Sequence, residues 1–203
     1  MIFEEANKMR YDAQAGKELM QKYLGSEPRL AKRLEHSIAV GDFSSKVARR
    51  IAHINPELGL DAELCEFLGY SHDIGYSVAD GKHEVHTIEL LQKEGVDAQI
   101  ARKAMHGQLA EQFGKKEGNA EQYMPVGLEG IILTYCDMSV RTGEPVAIRE
   151  RAAEIIERIR AAPTMPEQLK REIEENMHKA LPRFERYEQI VLALAGIKSA
   201  KEF

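Results

Sequence analysis

The chain has few cysteines, the residues whose disulfides stabilise small secreted proteins. There are two in 203 residues, Cys65 and Cys136. Two cysteines cannot form a disulfide framework. Because each lies in an apolar helical run, we expect buried thiols in a reducing compartment. The chain also lacks an apolar run of the roughly 20 residues that a membrane span needs. Its first residues show no basic region followed by an apolar stretch, so no signal peptide is predicted and a cytoplasmic location is expected.

Neither sign of charge dominates: 28 lysines and arginines are set against 33 aspartates and glutamates, a formal net charge of −5. This balance argues against a broad nucleic-acid surface, while a local basic patch around a phosphate group stays compatible with it. Strand-like alternation of apolar and polar residues is scarce. We therefore predict an all-α fold, a compact helical bundle with additional C-terminal helices.

Helices are predicted along nearly the whole chain from apolar spacing and from the residues that begin and end helices. The predicted helices are 3–23, 27–54, 62–73, 83–94, 98–106, 126–141, 147–161, 166–179 and 182–195. Residues 74–82 and 107–124 are predicted connections, and the longer one could act as a lid. We expect one domain over residues 1–203, with a core at about 26–141 and a helical cap at about 146–196. The cap helices could alternatively form an oligomer interface.

The most informative local pattern is the pair His72 and Asp73, followed two residues later by Gly75. Histidine and aspartate both coordinate divalent metals, and glycine lets the backbone turn away from such a site. His36 and Asp137 lie in other predicted helices, and each continues an apolar row of its own helix, as His72 does. Three helices thus each carry a metal-binding residue type on the apolar face that should point inward, which favours one metal centre shared by all three.

A buried carboxylate such as Asp137 is costly without a partner. A divalent metal shared with His36, His72 and Asp73 would supply that partner for the whole set. The ordinary alternatives are that the inward histidines are satisfied core residues and that Asp137 pairs with Arg141, one turn later. A purely structural bundle, in which the acidic residues pair with arginines, would bind no metal.

The order of these motifs resembles the HD-domain superfamily of metal-dependent phosphohydrolases, which is named for its His-Asp doublet. The matching segments are 33–37, 71–75, 83–95, 100–107 and Asp137. The resemblance covers roughly residues 30–140. It implies an all-helical HD-domain bundle that holds one divalent metal on His36, His72, Asp73 and Asp137.

Some members of this superfamily hold a second metal on two further histidines, and the corresponding residues here would be His83 and His106. His86, three residues after His83, is a rival ligand. His106 could instead be exposed at a helix end, where the dipole favours it. In the functional alternative it binds the second ion, and its predicted helical neighbours Arg102 and Lys103 face phosphate.

The resemblance implies hydrolysis of a phosphate ester or anhydride by attack of metal-bound hydroxide. Histidine and carboxylate ligands suit one or two ions of Fe, Mn, Zn, Co or Ni, and Mg less well. The expected catalytic residues are Asp73, as bridging ligand or water-orienting group, and Arg33, which would neutralise phosphate charge. The candidate substrate-binding residues are Arg33, Lys82, Arg102 and Lys103.

Tyr76 departs from the superfamily patterns, because it stands where the nucleotidase branch has a general-acid glutamate. The Gly-Tyr-Pro signature and tandem histidines of the branch that cleaves cyclic dinucleotides are also missing. We expect a small phosphorylated substrate, with nucleotides as the first candidates, no membrane partner, and homo-oligomers as an open alternative. The alternative function is an HD-type regulatory module that binds metal and nucleotide with little turnover.

Overall fold

A computed structural model of the chain describes residues 10–78, 81–107 and 110–203. The described residues are mostly helical, which confirms the predicted all-α class. The α-helices are α1 (Ala13–Leu24), α2 (Ala31–Ile54), α3 (Ala62–Ser71), α4 (His83–Lys93), α5 (Ala98–Arg102), α6 (Lys115–Glu117), α7 (Gly127–Ser139), α8 (Ile148–Arg160) and α9 (Glu167–Leu194). Short 3₁₀ turns occupy Pro28–Leu30, Pro56–Leu58, Ile74–Ser77, Ala120–Tyr123 and Ala200–Glu202, and a π-helical turn occupies Ala110–Gly114.

Aspartates cap three of these helices. The side chains of Asp12, Asp61 and Asp97 accept hydrogen bonds from backbone N–H groups in the first turns of α1, α3 and α5, which satisfies donors that have no partner within the helix. Of the helix predicted at 3–23, the described part is helical from Ala13 onward, and residues 10–12 lie outside a helix. Residues 3–9 of that prediction lie outside the described residues, as do 79–80 and 108–109 of the two predicted connections.

The C-terminal prediction was wrong in one respect: the helices expected at 166–179 and 182–195 are the single helix α9, which contains Pro182. Proline removes a backbone donor and usually ends a helix. Ala180 and Phe184, on either side of Pro182, are both buried in the main core. We attribute the continuity of α9 to this packing, which holds both halves against the same surface.

A short antiparallel hairpin follows α7, where the sequence predicted a break. Its strands are β1 (Val140–Arg141) and β2 (Glu144–Pro145), with Val140 opposite Pro145. The turn between them contains Thr142 and Gly143, both with positive φ. The hairpin carries the chain from α7 into α8.

Close packing of α2 against α3 positions the centre of the molecule. A Cβ atom built on Gly69 would lie 2.8 Å from the Cα atom of Gly41, and one on Gly41 would lie 2.3 Å from the ring of Tyr70. Larger residues at the two glycines would force the helices apart. Their absence lets His36 of α2 approach His72 at the end of α3.

The main hydrophobic core joins α2, α3 and α7 with the C-terminal helices. Its buried members include Val47, Leu68, Leu133, Ala152 and Phe184. Helices α8 and α9 therefore share a core with the earlier helices. Every helix within the described chain is too short or too polar to cross a bilayer.

Candidate metal centre

The four predicted core ligands lie together although they come from α2, from the two residues after α3, and from α7. Oδ1 of Asp137 is 2.8 Å from Nε2 of His36 and 3.6 Å from Nε2 of His72, and Oδ1 of Asp73 is 3.5 Å from the same His72 nitrogen. Atoms that bind one ion at about 2.0–2.2 Å are themselves about 3–3.5 Å apart. The spacing of these side chains is therefore suited to a shared ion.

His83 and His106 complete a second group beside the first. Their Nε2 atoms are 3.3 Å apart, and Oδ1 of Asp73 is 3.9 Å from Nε2 of His83. The ligand atoms of His36, His72 and Asp73 lie within 4.8 Å of one another, and so do those of Asp73, His83 and His106. Asp73 is common to both groups, which is the arrangement expected of a carboxylate that bridges two ions.

The structure places His83 in the cluster and His86 outside it. Nδ1 of His86 lies 2.8 Å from a carboxylate oxygen of Glu89, three residues along the same helix. The side chain of His83 is 6% exposed and that of His86 is 17% exposed. Of the two rivals, His83 has the position of a ligand.

The environment of His72 provides a test of whether a cation fits. The carbonyl oxygen of Gly69 lies 2.8 Å from Nδ1, so Nδ1–H donates to it and Nε2 carries a lone pair. Nε2 is buried, and no described group hydrogen-bonds to it, yet it faces the carboxylates of Asp73 and Asp137. Such an arrangement needs a positive charge at Nε2, which a divalent ion would provide.

Without an ion, a proton can take that place. Burial alone would lower the pKa of His72, but the negative charges of Asp73 and Asp137 outweigh it and raise this pKa to about 9. Burial opposes ionisation of Asp73 too, yet the positive charges of His72 and Arg33 lower its pKa to about 2. The pKa of Asp137 is well below its usual range because His36 and His72 outweigh burial.

At His83 the effect of burial on the pKa outweighs that of the nearby charges. Burial dominates and lowers its pKa to about 3, so its imidazole is neutral at physiological pH. Metals bind neutral imidazole and ionised carboxylate. Asp73, Asp137 and His83 therefore hold the protonation states that a metal site requires, and His72 would exchange a proton for the ion.

Gly75 is needed for a close approach between helices. A Cβ atom at this position would lie 1.9 Å from the carbonyl oxygen of His83. The N–H of Gly75 donates to Oγ1 of Thr87, and that hydroxyl donates to the carbonyl oxygen of His72. These bonds attach α4 to the His-Asp doublet and so position His83 beside Asp73.

Arg33 lies beside the centre, as predicted. Its Nη1 donates to Oδ2 of Asp73 at 3.3 Å, and its guanidinium lies 3.9 Å from the ring centre of Tyr76. Tyr76 in turn stacks on His83, with ring centres 4.2 Å apart and an interplanar angle of 17°. The side chain of Arg33 is 40% exposed, so it lies at the solvent edge of the cluster.

One part of the sequence interpretation was wrong: α5 ends at Arg102, and His106 follows it outside any helix. The helical spacing that placed Arg102 and Lys103 on one face with His106 therefore does not apply. His106 is fully buried, which also removes the exposed helix-end alternative. The physical reason is that the chain turns at 103–107, where Gly107 adopts a φ of +80°.

The remaining predicted cations contact protein groups outside the cluster. Arg102 donates to the carbonyl oxygens of Glu121, Gln122 and Met124. Lys103 pairs with Glu129 at 2.7 Å, and Lys82 pairs with Glu117 at 2.8 Å. Their assignment as substrate-binding residues stays a prediction.

Two residues that the sequence interpretation missed also border the centre. Glu84 is fully buried, and its Oε1 lies 3.8 Å from Nε2 of His106. Its position seven residues before Leu91 marks it as inward-facing, so helical periodicity could have found it. Arg183 of α9 contacts Gly107, next to His106, and no local sequence signal connects these two positions.

The fold and the site define an all-helical protein with four histidines and two aspartates grouped as a metal centre. The HD-domain family model matches residues 33–141, a span that contains all six of these residues. The chain therefore belongs to the HD-domain superfamily of metal-dependent phosphohydrolases, as its motifs predicted. Neither the curated proteins nor the solved structures provide a match. Helices α8 and α9 lie beyond the matched span.

Proposed function

We propose that this protein is a two-metal phosphohydrolase that acts on a small phosphate ester or anhydride, with nucleotides as the first candidates. The observation that carries the proposal is the position of Asp73 in both metal-binding groups. His36, His72 and Asp137 would hold one ion, and His83 and His106 the other. Divalent ions in such a site polarise a phosphoryl oxygen and lower the pKa of water toward neutrality.

The chain's own residues would orient the phosphate from the solvent edge. Arg33 is anchored on one side by Asp73 and stacked on Tyr76. Its remaining guanidinium N–H groups are suited to two phosphate oxygens, because the planar fork of arginine matches this geometry. Asp73 would thus position both the metal ions and the arginine that binds the substrate.

The surroundings of Tyr76 favour an anhydride over an alkyl ester. Burial raises the pKa of Tyr76 above its ordinary value, and its ring is enclosed between Arg33 and His83. It is therefore a poor proton donor to a leaving alkoxide near neutral pH. A phosphate leaving group needs no such proton, so we propose a substrate with a phosphoanhydride bond. Slow turnover of all substrates would correspond to the alternative function, a regulatory module.

The test is to reconstitute chelator-treated protein with Mn²⁺, Fe²⁺, Zn²⁺, Co²⁺, Ni²⁺ or Mg²⁺. Metal content is then measured by elemental analysis, and phosphate release from phosphomonoesters, diphosphates and nucleoside polyphosphates is followed. We expect two ions per chain and metal-dependent hydrolysis, fastest for anhydrides. Metal binding without phosphate release would support the regulatory alternative, and the absence of bound metal would contradict both.

A matched pair of variants tests whether hydrolysis depends on the histidines of the metal centre or is affected by the loss of any histidine. His72→Ala removes a fully buried ligand, whereas His53→Ala removes an exposed histidine near the end of α2. We expect the first variant to lose hydrolysis and the second to keep it. Equal hydrolysis in the two variants would contradict the proposed site.

A further inference from the structure

His106 is a ligand candidate that no helix positions. It lies four residues beyond the end of α5, and the residue after it has a φ of +80°. His36, Asp137 and His83, by contrast, belong to α2, α7 and α4. Ligand atoms must be held to within a fraction of an ångström for tight metal binding. Other contacts must therefore hold the backbone at 106–107.

Both ends of the peptide group between His106 and Gly107 are held by buried side chains. Oγ1 of Thr134, in α7, lies 3.0 Å from the carbonyl oxygen of His106 and shares its one proton between that oxygen and the carbonyl oxygen of Gly130, at 2.8 Å. Oε2 of Glu84, in α4, accepts from the N–H of Gly107 at 2.9 Å. The next carbonyl oxygen, that of Gly107, accepts from Nη2 of Arg183 at 2.9 Å. Three helices thus fix two consecutive peptide groups.

Glu84 connects the two histidines of the second group. It follows His83 in the chain and is fully buried, so its carboxylate needs partners to offset the cost of burial. The N–H of Gly107 is one such partner. The other carboxylate oxygen lies 3.8 Å from Nε2 of His106, next to the atom that would bind the ion.

Arg183, in α9, contacts the backbone next to His106 although it lies far along the chain. Its side chain is 15% exposed, and its Nη2 also pairs with Glu111 at 2.8 Å. Its guanidinium packs over the ring of Phe184 at 4.6 Å. A Cβ atom at Gly107 would lie 2.8 Å from Nη1 of Arg183. The positive φ favours glycine at position 107, and a larger residue there would displace the guanidinium of Arg183.

We propose that Glu84 and Arg183 are positioning residues that hold His106 against His83, so that the second metal ion depends on helix α9. This inference rests on the two-metal site of the proposed function. It assigns to the C-terminal helices, which lie outside the matched HD-domain span, a part in metal binding. Loss of such supporting contacts typically weakens metal affinity about 10–100-fold.

The experiment measures Mn²⁺ binding to the full chain by calorimetry, with electron paramagnetic resonance to distinguish a coupled pair of ions from a single ion. In Glu84→Ala and in the charge-balanced double variant Arg183→Gln/Glu111→Gln, we expect the second Kd to rise about 10–100-fold. The first Kd and the helical circular dichroism should stay unchanged. Glu84→Gln keeps an acceptor for the N–H of Gly107 and should recover much of the second affinity.

Arg186→Gln is the matched control, because Arg186 is an exposed arginine three residues further along α9. It should bind both ions as the wild type does. The proposal is overturned if the positioning variants bind both ions normally, if they lose both equally, or if the wild type binds only one. Two ions bound by the wild type without hydrolysis of any substrate would contradict the proposed function and leave this inference intact.

Discussion

His83 and His106 face each other through the same ring nitrogen, with their Nε2 atoms 3.3 Å apart. The Nδ1–H of His106 donates to the carbonyl oxygen of Ala104, so the lone pair of its Nε2 points toward His83. In a buried site this lone pair must meet either a proton on Nε2 of His83 or a cation between the two nitrogens. This relationship leads to the first prediction.

His83→Ala should remove one ion and leave the other bound, because the first group retains His36, His72, Asp73 and Asp137. The Kd of the lost ion should rise about 100-fold or more. His86→Ala, three residues along the same helix, provides the control and should keep two ions. Elemental analysis and calorimetry check both variants. Loss of metal in His86→Ala and not in His83→Ala would reverse the assignment.

Asp73→Asn should weaken both ions, because Asp73 belongs to both groups. An amide supplies no negative charge, so we expect metal content to fall below one ion per chain. The kcat for phosphate release should fall by on the order of 10³. Asp97→Asn, which changes an N-cap residue of α5, controls for the substitution and should keep both ions. Full metal content in Asp73→Asn would contradict the bridging role.

Arg33→Gln should raise KM for a phosphorylated substrate by about 10–100-fold, since it removes a charged donor to phosphate. Metal content should change little, because Arg33 is not itself a ligand. Arg33→Lys should recover little, since an ammonium provides neither the planar fork nor the stacking on Tyr76. Steady-state kinetics check this, with Arg29→Gln, an exposed arginine paired with Glu27, as the control. An unchanged KM in Arg33→Gln would exclude the substrate role.

The metal-free protein should lose stability as pH rises from about 6.5 to about 9. The pKa of His72 is raised in the folded state to about 9 from 6.5, so its contribution is complete below 6.5 and disappears as the proton leaves. The effect on the unfolding free energy is up to roughly 3 kcal/mol. Urea unfolding at several pH values measures it. Bound metal should remove this dependence, and a metal-free His72→Ala variant should lack it.

Gly75→Ala should separate α4 from the His-Asp doublet, because the added Cβ would meet the carbonyl oxygen of His83. We expect a loss of unfolding free energy of about 2 kcal/mol or more, together with weaker binding of the second ion. Gly59→Ala also costs about 1 kcal/mol through its positive φ, but it meets no neighbouring atom. That variant should keep both ions. Thermal unfolding and metal titration distinguish the two.

Helical periodicity was sufficient to place three of the four core ligands on inward faces, and the His-Asp doublet supplied the fourth, Asp73. His36, His72 and Asp137 each continue an apolar row, and the structure brings all three together with Asp73. His106 was found through the resemblance and misplaced by periodicity, because α5 ends at Arg102. The same error put Arg102 and Lys103 on a shared face with it. Periodicity applies only while the helix continues, and a turn at 103–107 cannot be counted in steps of 3.6 residues.

The sequence alone determined that the chain is helical and which residue types are suited to metal binding, because helix formation and ligand chemistry depend on local residues. Only the tertiary structure decided that Asp73 is common to two groups, that His83 and not His86 faces His106, and that Arg183 contacts Gly107. Those relationships depend on how closely α2, α3, α4 and α9 pack. That packing is set by contacts between residues far apart in the chain, such as Gly41 with Gly69 and Gly75 with His83.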